Sequence, residues 1–161
     1  MIDLYTSPTP NGWKAAMMLE ELALDYVVKH VDLAAGDQHK PEFLEMNPNG
    51  RIPVIVDHEA DGLAVFDLNA ILVSRAEKTG RLLPADGPAR HDVMQWVMFQ
   101  ASGIGPMQGQ AVTFERYFPE DVPAARTRYH NETRRLYAVL DTRLADRQWL
   151  AGEFSIADIS N

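Results

Sequence analysis

The segment Arg51-Ile52-Pro53-Val54-Ile55-Val56-Asp57 sets a proline directly against an apolar, β-branched run. Proline brings no N–H to a sheet ladder, so in such a run it is confined to the first residue of a strand or to the turn before it. A strand therefore opens here, and the remaining freedom is the geometry of the Ile52–Pro53 bond. A trans bond is the plain reading, since only about 5–6% of X–Pro bonds in folded proteins are cis. A cis bond would turn the N–H and C=O of Ile52 outward, where an extended, peptide-like ligand can pair with them. The segment by itself leaves both readings open.

Composition narrows the classes of partner. The chain has 161 residues, enough for one ordinary domain or two small ones. Its formal net charge is -8 with Lys and Arg dispersed, so the phosphate attraction behind nucleic-acid and anionic-membrane binding turns repulsive. There is no cysteine, which removes disulfides, Cys-based zinc sites and a protein thiol nucleophile. The histidines have no metal-ligand spacing, and no metal is expected. No signal-peptide pattern opens the chain and no apolar run reaches membrane-spanning length. A soluble, cytoplasmic protein is the expectation.

Along the first half the pattern alternates between strands and helices. Ile2–Tyr5 reads as a strand, Trp13–Leu24 as a helix with apolar residues at helical spacing, and Tyr26–Val31 as a second strand. Such a β-α-β opening implies a parallel, right-handed crossover. Pro41–Leu44 suggests a short helix, Val54–Val56 and Leu63–Phe66 an antiparallel hairpin, and Leu68–Lys78 a further helix. The second half changes character. Gly80–Ala89 is rich in Pro and Gly, and only helical periodicity appears in His91–Phe118 and Pro123–Ala145. In the latter, Tyr129, Thr133, Leu136, Tyr137, Leu140 and Leu144 share one face. Ser155-Ile156-Ala157-Asp158 resembles a capping box with Asp in place of the usual Glu, three residues from the last residue. That position suggests an incomplete helical domain.

Six motifs then appear in order: Ser7-Pro8-Thr9-Pro10-Asn11-Gly12; Gln38 before Pro41-Glu42-Phe43; Asn47-Pro48-Asn49-Gly50-Arg51-Ile52-Pro53; Ala76-Glu77-Lys78-Thr79-Gly80; Gly105-Pro106-Met107-Gln108-Gly109-Gln110; and Ser155-Ile156-Ala157-Asp158. Together they resemble the cytosolic glutathione transferases, in particular the nu class. The resemblance implies an α/β plus all-α chain. Residues 1–80 would form a thioredoxin-like glutathione-binding domain with a mixed four-stranded sheet, 81–89 a linker, and 90–161 a partial helical domain. It implies a glutathione-dependent transferase or disulfide-bond reductase, a cytoplasmic homodimer that binds glutathione or glutathione disulfide and acts on small disulfide or electrophilic substrates. The alternative is a non-catalytic module on the same fold, or an inactive truncated product.

The same resemblance assigns roles. Thr9 and Asn11, between the first strand and first helix, would donate hydrogen bonds to the glutathione thiolate; their bland reading is as turn and cap residues. Ser7 is a weaker candidate for that sulfur, and Tyr5 reads as core. Ile52 and Pro53 would hold the cysteinyl backbone. Gln38 and Arg51, with Lys40 nearby, would serve the glycyl carboxylate. Asp67 and Leu68 stand where the family has a Glu-Ser pair for the γ-glutamyl end. Asp67 keeps the charge on a shorter arm, but Leu68 cannot donate a hydroxyl bond, a loss of about 1.5–3 kcal/mol for a bond to a charged group. Asn69 offers a substitute. Ser74-Arg75 replaces an aromatic-aliphatic pair, and Arg75 on a core-facing position is costly unless its head reaches water. Arg134 and Arg135 read as a solvated helix face, and Met94, Trp96, Met98 and Phe99 as helix packing.

Overall fold

The computed structural model describes residues 1–161 and divides into two compact units, Met1–Ala85 with Ser160 and Asp86–Ile159 with Asn161. In the first unit the chain runs β1 (Ile2–Thr6), α1 (Pro10–Glu21), β2 (Tyr26–His30), α2 (Pro41–Met46), β3 (Val54–Asp57), β4 (Leu63–Phe66) and α3 (Leu68–Thr79). The sheet order is β2-β1-β3-β4; β1 is parallel to β2, and β1–β3 and β3–β4 are antiparallel. This is the mixed, four-stranded thioredoxin-like sheet that the family resemblance implies.

Strand alternation sorts the core into two layers. Leu4 and Ile55 stand opposite each other in register, both fully buried. Helices α1 and α3 pack together, and Met18, Leu19, Ile71 and Leu72 are buried just as completely. The next residues along the strands feed a second cluster, in which Val31, Phe43 and Val54 are packed by Tyr5, Leu33, Met46 and Ile52. Tyr5 meets Phe43 edge to face with ring centroids 6.4 Å apart.

Helix α1 starts three residues before the first strongly periodic residue, Trp13. Thr9 caps it by accepting from Gly12 N (3.3 Å), and Pro10 fits a first turn that needs no N–H from it. Gly12 is fixed here by space: a Cβ would collide with the Ser7 carbonyl oxygen and Thr6 Oγ1. Because the first of these is backbone, relief requires moving the loop itself. Gly12→Ala is expected to lower stability by about 1–3 kcal/mol, the usual range for overpacking. Urea denaturation checks this; an unchanged midpoint would show that the loop yields freely.

The end of β3 holds a buried charge cluster. Asp57 has no exposed surface, and its Oδ2 accepts from Arg75 Nη1 (2.5 Å) and Lys78 Nζ (2.6 Å), while Oδ1 accepts from Glu59 N (3.1 Å). Lys78 continues to Glu59 (3.2 Å), which also meets the N-terminal ammonium (2.9 Å). Arg75 does not send its head to water, as its sequence context suggested it must; it is 2% exposed and is neutralised from within. Burial is the largest single influence on the Asp57 carboxyl and pushes its pKa up. The hydrogen bonds from Lys78, Arg75 and the Glu59 amide together outweigh it and hold the group well below the usual carboxylate range.

The second unit is helical: α4 (Gly87–Phe99), α5 (Gly105–Val112), α6 (Pro123–Leu144) and α7 (Ile156–Ser160). Helix α4 begins inside the stretch read as a linker, because Pro88 is well placed in a first turn. The span of helical periodicity from His91 to Phe118 contains two π-helical segments, Gln100–Ile104 and Thr113–Tyr117. Between α5 and α6, Phe114 stacks on Tyr129 (5.5 Å) and Gln108 Nε2 donates to the Tyr137 hydroxyl (3.0 Å). Gly103 lets the chain pass close to Leu136, whose Cδ2 would lie 3.2 Å from an added Cβ. Of the proposed α6 face only Leu136 is fully buried; Tyr137 and Leu144 are exposed. Trp96 and Phe99 pack edge to face, whereas Met98 is exposed. Arg143 ties the unit together: its guanidinium lies 5.3 Å from the Trp96 ring centre, pairs with Asp92 (3.0 Å) and donates to the Leu150 carbonyl (2.7 Å). The capping box forms with Asp in the third position, since Asp158 Oδ2 accepts from Ser155 N and Ser155 Oγ accepts from Ala157 N. No helix is long and apolar enough to cross a membrane.

Candidate functional site

The strand register brings the separate motifs to one end of the sheet. Tyr5 pairs with Val54, and Val54 with Phe66, so β1, β3 and β4 present these three residues in one row. The chain leaves β1 there toward Thr9 and Asn11, enters β3 there through Ile52 and Pro53, and leaves β4 there into Asp67 and Leu68. Neighbouring strands lie about 4.8 Å apart, so the row spans about 10 Å. That is also the reach of an extended molecule of three residues, at about 3.3–3.6 Å each.

In the middle of this end the Ile52–Pro53 bond is cis. Pro53 is buried, Ile52 is half-buried, and the N–H and C=O of Ile52 make no hydrogen bond within the chain. The segment is braced by the first residue of its motif, to which the sequence reading gave no role of its own. Asn47 is buried, donates from Nδ2 to the Arg51 carbonyl (2.6 Å) and accepts at Oδ1 from Asn49 N (2.9 Å). Its signal was the Asn-Pro-Asn-Gly turn, where an Asx side chain commonly bonds the backbone two residues on. Gly50, at φ 63°, lets the Gln38–His39 turn come close: an added Cβ would lie 3.0 Å from His39 Nδ1 and 3.3 Å from the Gln38 carbonyl oxygen.

On one side of this segment, Thr9 uses its oxygen as the cap acceptor, which leaves the hydroxyl proton to donate elsewhere. Asn11 is exposed in the first turn of α1 with its side-chain amide unpaired. Two roles therefore coexist at Thr9, cap and potential donor. Ser7 contributes its carbonyl to Thr9 N (2.7 Å).

On the other side, Gln38 sits in the turn Asp37–His39, and its Oε1 is buried without a partner. An unpaired buried polar group costs about 1–3 kcal/mol. A half-turn of the amide would offer NH₂ at the same place. Lys40 is already engaged by Asp37 (2.7 Å), whose hydrogen bond raises the ammonium pKa. Arg51 is exposed and its side chain is unpaired, so of the two cations it is the one free to meet an anion.

Helix α3 begins at the third strand of the row. Asp67 has φ 69°, a region costly for a residue with a side chain, and caps the helix by accepting at Oδ1 from Asn69 N (3.0 Å) and Ala70 N (3.4 Å). Leu68 is only 5% exposed and turns inward. Asn69 follows it in the first turn of α3. It is buried, and its Oδ1 accepts from Ser160 Oγ (2.6 Å), a residue grouped with this unit. Arg134 and Arg135 are exposed on α6, with Arg135 forked onto Glu132 at 2.7 and 2.9 Å. No group of three or more His, Asp or Glu side chains is placed to hold a metal ion.

Comparison with known proteins places this arrangement. The glutathione S-transferase N-terminal domain profile matches residues 9–73. The disulfide-bond oxidoreductase YfcG of Escherichia coli (strain K12) is 50% identical, over 99% of this chain and 77% of its own. A crystal structure of a glutathione transferase family member from Pseudomonas fluorescens, with two glutathione bound, superposes with a TM-score of 0.95 at 44% identity, covering 99% of this chain and 73% of that one. A glutathione transferase from Pseudomonas putida, with one glutathione disulfide bound per subunit, gives 0.93 at 44% identity, over 99% and 71% respectively.

Proposed function

The chain belongs to the glutathione transferase family, and from that premise we propose that it is a glutathione-dependent transferase or disulfide-bond reductase. The observation that carries the reading is the unpaired backbone of Ile52, set between the donors at the start of α1 on one side and the Asp67 cap of α3 on the other. In this reading Ile52 and Pro53 hold the cysteinyl backbone of glutathione. Thr9 and Asn11 donate to its sulfur, Gln38 and Arg51 take the glycyl carboxylate, and Asp67 with Leu68 borders the γ-glutamyl end. Residues 1–80 are the glutathione-binding domain and 90–161 the helical domain, joined by 81–89, whose last three residues already belong to α4. Family membership also supports a cytoplasmic homodimer.

The chemistry follows from the missing cysteine: both reacting sulfurs come from ligands. A bound glutathione thiolate attacks one sulfur of a small disulfide, forming a mixed disulfide and expelling the other sulfur as thiolate. A second glutathione thiolate then attacks the glutathione sulfur of the mixed disulfide, giving glutathione disulfide and the second reduced thiol. The rate rises with the thiolate fraction of the attacking thiol. Hydrogen bonds to sulfur favour the charged form and so lower a thiol pKa that is ordinarily about 8.5. With electrophiles the same thiolate forms a thioether.

The test is calorimetric titration of the folded chain with glutathione, together with turnover of hydroxyethyl disulfide in the presence of glutathione. Binding with turnover is expected. Folded protein that neither binds nor turns over refutes the reading. Binding without turnover selects the second reading, a non-catalytic module on the same fold, which the inward-turned Leu68 favours.

A further inference from the structure

The start of α3 carries an inference that rests on the glutathione reading and narrows its ligand. The first amides of a helix ordinarily make a seat for an anion. Here Asn69 N and Ala70 N are already taken by Asp67 Oδ1, so the seat is occupied by the chain's own carboxylate. The short arm explains this, because an aspartate in the cap position reaches the amides two and three residues on. Leu68 is apolar and buried, and the side-chain Oδ1 of Asn69 accepts from Ser160 Oγ. Asp67 and Leu68 therefore aim no side-chain donor at a ligand carboxylate, and of the amides of Leu68, Asn69 and Ala70 that of Leu68 is the one Asp67 leaves open. What this end does present is the second oxygen of Asp67, an exposed acceptor with negative charge.

We propose that this end of the site selects an ammonium group and discriminates against a carboxylate beside it. The preferred thiol would be a peptide-like molecule with a C-terminal carboxylate, a central cysteine and an amine-bearing N-terminal group that lacks the α-carboxylate of a γ-glutamyl residue. Asp67 and Leu68 are the specificity-determining residues: Asp67 attracts the ammonium, and Leu68 withholds the hydroxyl that would balance a carboxylate.

γ-Aminobutyryl-cysteinyl-glycine tests this directly, since it is glutathione without the α-carboxylate. Titration of the full chain with each thiol is expected to show the analogue binding at least as tightly as glutathione. Leu68→Ser is expected to shift the ratio about tenfold toward glutathione, the value of one hydrogen bond to a charged group. The unmodified chain decides the matter if that variant fails to fold. Glutathione preferred tenfold or more by the unmodified chain overturns this inference and leaves the glutathione reading intact. Folded protein that binds neither thiol overturns the glutathione reading itself, and this inference with it.

Discussion

Asp57→Leu is expected to destabilise the first unit by about 3–5 kcal/mol, because removing one partner leaves the other charge buried and unpaired. The stranded charge is Arg75, 2% exposed and otherwise bonded only to Ser74 Oγ at 3.0 Å. Lys78 fares better, since it is partly exposed and keeps Glu59. The double replacement Asp57→Leu/Arg75→Leu removes the whole pair and is expected to recover most of the loss, since a packed apolar pair often matches a buried ionic one. Urea denaturation of both variants decides it; equal midpoints for single and double variants would show that Arg75 was never stranded. The acid limb supplies a second signature. The Asp57 pKa is depressed on folding, so its contribution is fully present above the unfolded value, about 3.9, and is lost as pH falls from there toward the folded value. The intact chain should lose stability below about pH 4 more steeply than the double variant.

Thr9→Val keeps the side-chain shape and removes the hydroxyl. Stability should fall by about 1 kcal/mol through loss of the α1 cap. The larger effect is on the ligand. Losing one hydrogen bond to a thiolate, about 1.5–3 kcal/mol, corresponds to a rise of about 1–2 units in the pKa of bound glutathione. Turnover near neutral pH should then drop about ten- to a hundredfold, with the pH–rate profile displaced to higher pH and Thr9→Ser restoring both. Thiolate absorbance in the ultraviolet reads the shift directly. A Thr9→Val protein that loses stability but keeps its pH profile would confine Thr9 to capping.

How much of this was legible depends on how far the determining contact lies along the chain. The strand opening at Pro53 and the alternation that sorts Leu4 and Tyr5 onto opposite layers are local patterns, and they fixed the β-α-β-α-β-β-α order. The start of α1 was misplaced by three residues because helical periodicity begins at Trp13, while the helix begins with Pro10 and a cap. Arg75 was misread for a different reason. Its partner Asp57 lies eighteen positions away and belongs to another element, so the position looked like an isolated charge facing a core. The Asp67 carboxylate illustrates the same limit at short range. Residue type shows that it can pair with an ammonium or cap a helix, and only the backbone geometry shows that one oxygen already does the second.

The two π-helical segments on either side of α5 have a consequence for the history of this helix. A π turn holds one residue more than an α turn, so each acts as a phase reset, rotating the downstream residues by about 100° against the preceding frame. Single-residue gains or losses inside Gln100–Ile104 or Thr113–Tyr117 can be absorbed as a switch between π and α winding. The same change inside α4 would turn every side chain beyond it away from its partner. Length variation among related chains should therefore collect at these two turns, where the helix has slack built into its winding.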